Sequence, residues 1–298
     1  MSILTRYDST AAQKEDILDM ISQLTPLETP FFSRLGASQC RSALHYWITN
    51  TIDSATATGG ASVEGASAVS RGLSDRSRVL NYTQITTETI EVSGTVEATS
   101  FYGLESEYAT RLDEGMKRWK IMADIILLNS TSASGTSSVA RQMSGAIDIT
   151  LTNRQTGSAT SCALTETVYN ALLQTVADSG GGRPDTTFVG GFNKRRISAF
   201  ATSNTRQMQV NETGKIANFV DVYMSDFGTQ EIVYERYMPK TVGLVAQMDT
   251  YKIAWLRRPF VKPLADIGDS RRAEIIGEYT LEYLAESKSG VLSAFASA

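Results

Sequence analysis

Apolar positions recur three or four residues apart over Leu104–Asn129. Leu104, Tyr108, Leu112, Met116, Trp119, Ala123 and Ile126 fall on one helical face. The opposite side carries Glu107 with Arg111, Asp113 with Lys117, and Glu114 with Arg118. Each acid precedes its base by four residues, the order that best supports an exposed helix. At 1.5 Å per residue, these ~26 residues predict a rod of roughly 40 Å, about twice the usual helix length. A long core helix in an ordinary α+β domain accounts for the same periodicity.

Upstream, Ile17, Leu18, Ile21 and Leu24 mark a short helix over Ala12–Leu24. Pro26 and Pro30 stop it and impose an extended path. Phe31 and Phe32 then anchor this N-terminal arm, either on its own domain or on a neighbour. His45–Ile52 has strand character, and Val79–Glu97 returns as strand, with Ile90, Val92, Gly94 and Val96 alternating with polar residues. Between them, Asp53–Arg78 is almost entirely Ala, Ser, Thr, Gly and isolated charges. Such a segment cannot bury enough surface to offset its ordering entropy. Flanked by strands, it reads as a long hairpin arm, disordered alone or ordered against a partner.

Downstream of the rod, Ser130–Ser138 is a polar loop. A second helix spans Leu164–Ala177, with Thr165 as N-cap and Gly180–Gly182 as its stop. A short strand at Phe188-Val189 leads into a basic helix, Asn193–Phe200. Ile232–Tyr237, Val242–Met248 and Tyr251–Leu256 read as consecutive strands. Glu274–Leu284 is the last strong strand, with Ile275, Tyr279, Leu281 and Tyr283 on one face and Ile276, Glu278, Thr280 and Glu282 on the other.

Composition narrows the function classes. A net charge of −4 gives no basic footprint for gripping nucleic acid along its backbone. Cys40 and Cys162 are far apart and form no C-x-x-C pair, so neither a zinc site nor a disulfide framework is indicated. The N-terminal residues lack the apolar core of a signal peptide. The most apolar run, Ile121–Leu128, is short and interrupted by Asp124, so no membrane span is expected.

His45 is the only histidine, so any hydrolase triad would have to use it. It sits in a strand-like context, and no G-x-S-x-G occurs in the chain. Gly180-Gly181-Gly182-Arg183 lacks the spacing of a P-loop and follows a helix rather than opening one. Asp266 and Asp269 read as a turn. Lys194-Arg195-Arg196 with Phe192 and Phe200 is a local basic–aromatic patch, read as a solvated face. These residues support no enzyme, no cofactor and no metal.

In order, the pieces resemble the major capsid proteins of tailed double-stranded DNA bacteriophages, whose α+β fold is called Hong Kong 97-like. The phrases that carry the resemblance are Thr29-Pro30-Phe31-Phe32, Asn81-Tyr82-Thr83-Gln84-Ile85, Val92-Ser93-Gly94-Thr95, Ser225-Asp226-Phe227-Gly228 and Leu256-Arg257-Arg258-Pro259. Pro263-Leu264-Ala265 and Gly268-Asp269-Ser270 follow at a matching distance. The resemblance implies an N-terminal arm and first strand over 1–50 and an extended hairpin loop over 51–98. A peripheral domain with a spine helix would occupy 99–149, an axial domain 150–248, and a return to the peripheral domain with a C-terminal strand 249–298.

The implied function is a structural shell protein of the virion, made in the host cytoplasm. It would close into hexamers and pentamers of an icosahedral head around double-stranded DNA that it contacts only weakly. Portal and scaffolding proteins, and a cement protein, are the implied partners. Candidate inter-subunit contacts are Asp53, Glu64, Arg71, Asp75, Arg76, Arg78, Glu105, Glu107 and Arg111, with Phe31 and Phe32 as arm anchors.

Two departures from relatives matter. No lysine occurs between Lys14 and Lys117, so a lysine-based covalent weld from the extended loop is unavailable. A charge-rich helical extension that could act as fused scaffold is also missing, so scaffolding is expected from a separate protein or from a segment already removed. The alternatives are a cellular nanocompartment shell of related fold and a phage tail or fibre protein.

Overall fold

A computed structural model describes residues 28–50, 63–67, 76–99, 106–157, 163–203 and 222–295 of the 298-residue chain. Everything below concerns those residues. The expected helix at Ala12–Leu24, residues 51–62 and 68–75 of the extended loop, and Cys162 lie outside them.

A four-stranded sheet is ordered β1-β10-β11-β4, from β1 (Gly36–Gln39), β10 (Tyr251–Pro263), β11 (Ser270–Tyr283) and β4 (Gln84–Ser93). The β1–β10 pair is parallel and the other two are antiparallel. Pro259 and the adjacent arginines hide the full length of β10 from sequence. Two register shifts, between Trp255 and Arg257 and between Arg257 and Phe260, let the strand continue past them to Pro263.

The periodic rod is α3 (Glu107–Asn129), 23 residues long. It packs on one face of this sheet, touching β4 and β11. The packed stripe differs by one position from the expected one. Gly115, rather than Met116, faces the sheet, and Met116 is exposed. A side chain at Gly115 would meet Ile90 and Ile275, so the missing Cβ brings helix and sheet together. One turn on, Trp119 donates from Nε1 to the Thr86 carbonyl at 3.1 Å, 5.7 Å from Tyr279 and 6.4 Å from Trp255 by ring centres. Of the three expected ion pairs on the outer face, Glu107–Arg111 and Asp113–Lys117 form, at 2.7 and 2.6 Å. Glu114–Arg118 does not: Glu114 pairs with Arg111, and Arg118 reaches Glu88 on β4 at 2.6 Å.

The expected strand over Val79–Glu97 is three elements. β3 (Ser77–Tyr82) pairs antiparallel with β2 (Leu44–Thr49), β4 follows after Thr83, and Gly94–Ala98 is a short helix, α2. The break at Thr83 is held by buried Glu278, which accepts from Thr83 Oγ1 at 3.0 Å. Glu278 also pairs with Arg141 at 2.8 Å and Arg257 at 2.9 Å.

A six-stranded mixed sheet follows, ordered β5-β12-β9-β6-β8-β7. It comprises β5 (Arg154–Thr156), β6 (Thr186–Val189), β7 (Val222–Ser225), β8 (Gly228–Tyr234), β9 (Gly243–Ala246) and β12 (Gly290–Ser293). Both its faces are covered, so its central strands read as continuous apolar runs rather than alternating ones. Phe188, Leu244 and Val291 face the core that α3 also lines. Val189, Val245 and Leu292 face a second core beneath α5 (Glu166–Gly180) and α6 (Gly191–Ser203). α5 begins and ends as expected: Thr165 Oγ1 accepts from the Val168 amide, and Gly181 takes the left-handed conformation at the C-cap. β12 was not foreseen. The last described strand sits between β9 and β5 inside the six-stranded sheet.

Pro30 does not extend the arm. It occupies the first turn of a short helix, α1 (Pro30–Arg34), where its missing N–H costs nothing. Phe31 is fully buried between Phe188 and Tyr251, at 5.3 and 6.3 Å by ring centres. Phe32 leans on Trp255 at 6.3 Å, with Lys120 over its other side. Phe31 and Phe32 therefore pack on their own chain.

Candidate assembly surface

The β2–β3 hairpin is a two-stranded ribbon beside the four-stranded sheet. Successive side chains of a strand point to opposite faces, and the register fixes which residues share one. Trp47 and His45 turn inward. Trp47 is buried with its ring 4.9 Å from Tyr283, and His45 Nε2 lies 3.3 Å from Glu282 Oε2. Asn81 clamps the base, donating from Nδ2 to the Leu281 carbonyl at 2.8 Å and to the Ser144 carbonyl at 3.1 Å.

The outward face collects Tyr46 opposite Leu80, and Ile48 opposite Arg78. Ile48 is 69% exposed and Leu80 44%. The Arg78 guanidinium lies 3.7 Å over the Tyr46 ring. A ribbon apolar on both faces but covered on only one is marginal as an isolated unit. Its free face fits a partner better than water.

Of the expected contact residues, Arg78 belongs to this face and Arg76 is exposed just before it. Glu64 is exposed on a turn closed by an Ala66 N–H to Val63 carbonyl bond. Asp53, Arg71, Asp75 and Glu105 lie outside the described residues. Glu107 and Arg111 are bonded to each other on the helix at 2.7 Å, with the Arg111 side chain 54% exposed. Tyr46, Ile48 and Leu80 were missed. Their signal was present in Leu44-His45-Tyr46-Trp47-Ile48, where both faces of a short strand carry large side chains although a two-stranded ribbon beside a core can bury only one.

Ser38 Oγ donates to the same Glu282 oxygen that faces His45 Nε2, at 2.6 Å, so this carboxylate orders both groups. Among the described residues, no group of three or more His, Cys, Asp or Glu side chains could hold a metal ion. No described helix is long and apolar enough to cross a membrane. Cys40 is buried, and its thiol donates to the Ser42 carbonyl.

Comparison with known proteins bears on this arrangement. The family model described as SU10 major capsid protein matches residues 4–296. No curated protein sequence matches. Among solved structures, a chain of the Cyanophage A-1(L) capsid asymmetric unit aligns with a TM-score of 0.69 at 12% identity, covering 98% of this chain and 99% of that one. A chain from Mycobacterium phage Cain aligns at 0.66 and 14% identity, covering 98% of each. The holo-SrpI encapsulin complex from Synechococcus elongatus aligns at 0.64 and 9% identity, covering 99% of this chain and 97% of that one.

Proposed function

Because the chain belongs to the SU10 major capsid protein family and builds the shell of a phage head, we propose that the outward face of its β2–β3 hairpin is a principal contact between neighbouring subunits. The fold is the Hong Kong 97-like capsid fold, and the virion is where the protein resides. In this reading, the four-stranded sheet with α3 is the peripheral domain and the six-stranded sheet is the axial domain. Repeated heterologous contacts close them into hexamers and pentamers.

The observation that carries the contact is the one-sided burial of the hairpin, with Tyr46, Ile48, Leu80 and Arg78 on its free face. A neighbour that covers this face supplies the second packing surface the ribbon lacks. Glu64 and Arg76, both exposed, would lie around it as polar rim. Exposed ion pairs contribute ~0–1 kcal/mol each, so the apolar face carries the energy and the charges set the register. With no lysine available in the loop, the contact is non-covalent.

The family is structural, and we assign no catalytic step to it. Portal, scaffolding and cement proteins are the expected partners. Packaged DNA would be confined by a weakly repelling wall rather than gripped, in keeping with the net charge of −4.

The test is the double variant Ile48→Asp/Leu80→Asp. Both residues are exposed in the single subunit, so its unfolding should shift by no more than ~0.5 kcal/mol per site. Assembly into shells, followed by light scattering, should be lost. Wild-type shell yield from the double variant would refute the assignment of this face.

A further inference from the structure

Two carboxyl groups meet in the core where three parts of the chain join. Asp124 lies on the buried side of α3, and Glu235 directly follows β8. Both are fully buried and in hydrogen-bond contact with each other. Asp124 Oδ1 accepts the Phe32 amide at 2.6 Å. Glu235 accepts the Tyr237 amide at 3.1 Å and the Phe31 amide. That leaves Asp124 Oδ2 and Glu235 Oε2, each buried and without a hydrogen-bond donor. Two ionised carboxylates so placed would repel, and each would keep an unsatisfied oxygen in a dry site. One proton between them removes both costs, since a carboxylic acid donates to the facing carboxylate.

We propose that Asp124 and Glu235 bind a single shared proton, and that this proton latches the arm turn at Phe31-Phe32 to the spine helix and the six-stranded sheet. When the proton leaves, two like charges share the pocket, and the backbone amides of Phe31 and Phe32 are the groups nearest to release. The charged surroundings give little relief. Lys120, one turn before Asp124 on α3, acts on it weakly from an exposed position. Arg34 on α1 is engaged with Glu231 on β8, and Arg236 beside Glu235 is exposed.

Burial raises both groups, Asp124 to about 6 and Glu235 to about 7, with the Asp124 charge adding to the rise of Glu235. They titrate as a pair. A carboxyl raised on folding makes the native state hold more protons than the unfolded chain. The stabilisation is therefore complete at the acidic end, below the unfolded carboxyl values near about 4, and is lost as pH rises from there through the folded values of about 6 and about 7.

Glu235→Gln supplies a permanent N–H donor to Asp124 Oδ2 while keeping an oxygen for the two amides. The unfolding midpoint of the unassembled wild-type subunit should fall by ~3 °C or more from about pH 5 to about pH 8, and that of Glu235→Gln should be nearly flat. Comparing the two slopes cancels other titrations. At about pH 8, hydrogen exchange at Phe31 and Phe32 should be ~10-fold slower in Glu235→Gln than in wild type. Infrared spectroscopy of wild type near neutral pH should show one protonated carboxylic C=O stretch that Asp124→Asn or Glu235→Gln removes. This measurement is made on native wild type, so the proposal is testable even if a variant folds poorly. Parallel pH slopes, equal exchange, or no protonated stretch would each overturn it. So would a midpoint raised by calcium or magnesium in wild type but not in Glu235→Gln, because a cation and not a proton would then occupy the site.

Discussion

At the level of single residues, Gly277 and Trp119 fit tightly together. A Cβ on Gly277 would lie 2.4 Å from Trp119 Cζ2, and the indole is held by its bond to Thr86 and by Tyr279 and Trp255. Unlike the flexible tip of Ile90 near Gly115, this ring cannot swing aside. Gly277→Ala should cost about 1–3 kcal/mol through overpacking, read as a lower urea midpoint of the unassembled subunit. An unchanged midpoint would mean that the helix rides loosely on the sheet. Periodicity identified Trp119 and Ala123 correctly but placed Met116 where Gly115 sits, because a hydrophobicity pattern cannot see a position that is buried by having no side chain. Asp124 was visible as an acid inside an apolar run. Its partner Glu235 stands over a hundred residues away and could come only from the fold.

At the level of elements, long periodic segments were legible and short ones were not. α3 carries more than six turns of pattern, and α5 adds cap and stop residues to its own. β1, β5 and β12 span three or four residues each and become strands only through partners distant in sequence. α2 was read as strand because Gly94 and Val96 continued an alternation that the Asp269 turn interrupts: the Gly94 amide bonds to the Asp269 carbonyl. That same short helix prepares the spine. Glu97 accepts the Tyr108 amide at 3.2 Å and the Ser106 hydroxyl at 3.0 Å, while Ser106 Oγ caps the helix by accepting from Ala109 N–H at 3.3 Å. Ser106→Ala removes the cap and one Glu97 contact. It should cost ~0.5–2 kcal/mol in chemical denaturation, without altering the helix beyond its first turn. A loss of helicity along the whole rod would contradict this, since packing on the sheet, not the cap, holds the remaining turns.

For the whole molecule, the two sheets share one core through Phe188, Leu244, Tyr251, Ile253 and Phe31, and the chain passes between them more than once. Phe31 and Phe32 pack within the chain's own core. The outward face of the hairpin, with Ile48 69% exposed, is open to a neighbour. The most direct measurement of the central claim is electron cryo-microscopy of the purified wild-type chain, with its scaffolding partner if one is required. The account predicts closed shells in which the outward face of each β2–β3 hairpin is covered by the adjacent subunit. Shells that leave Tyr46, Ile48 and Leu80 open to solvent, or a chain that stays monomeric at high concentration with scaffold present, would contradict it.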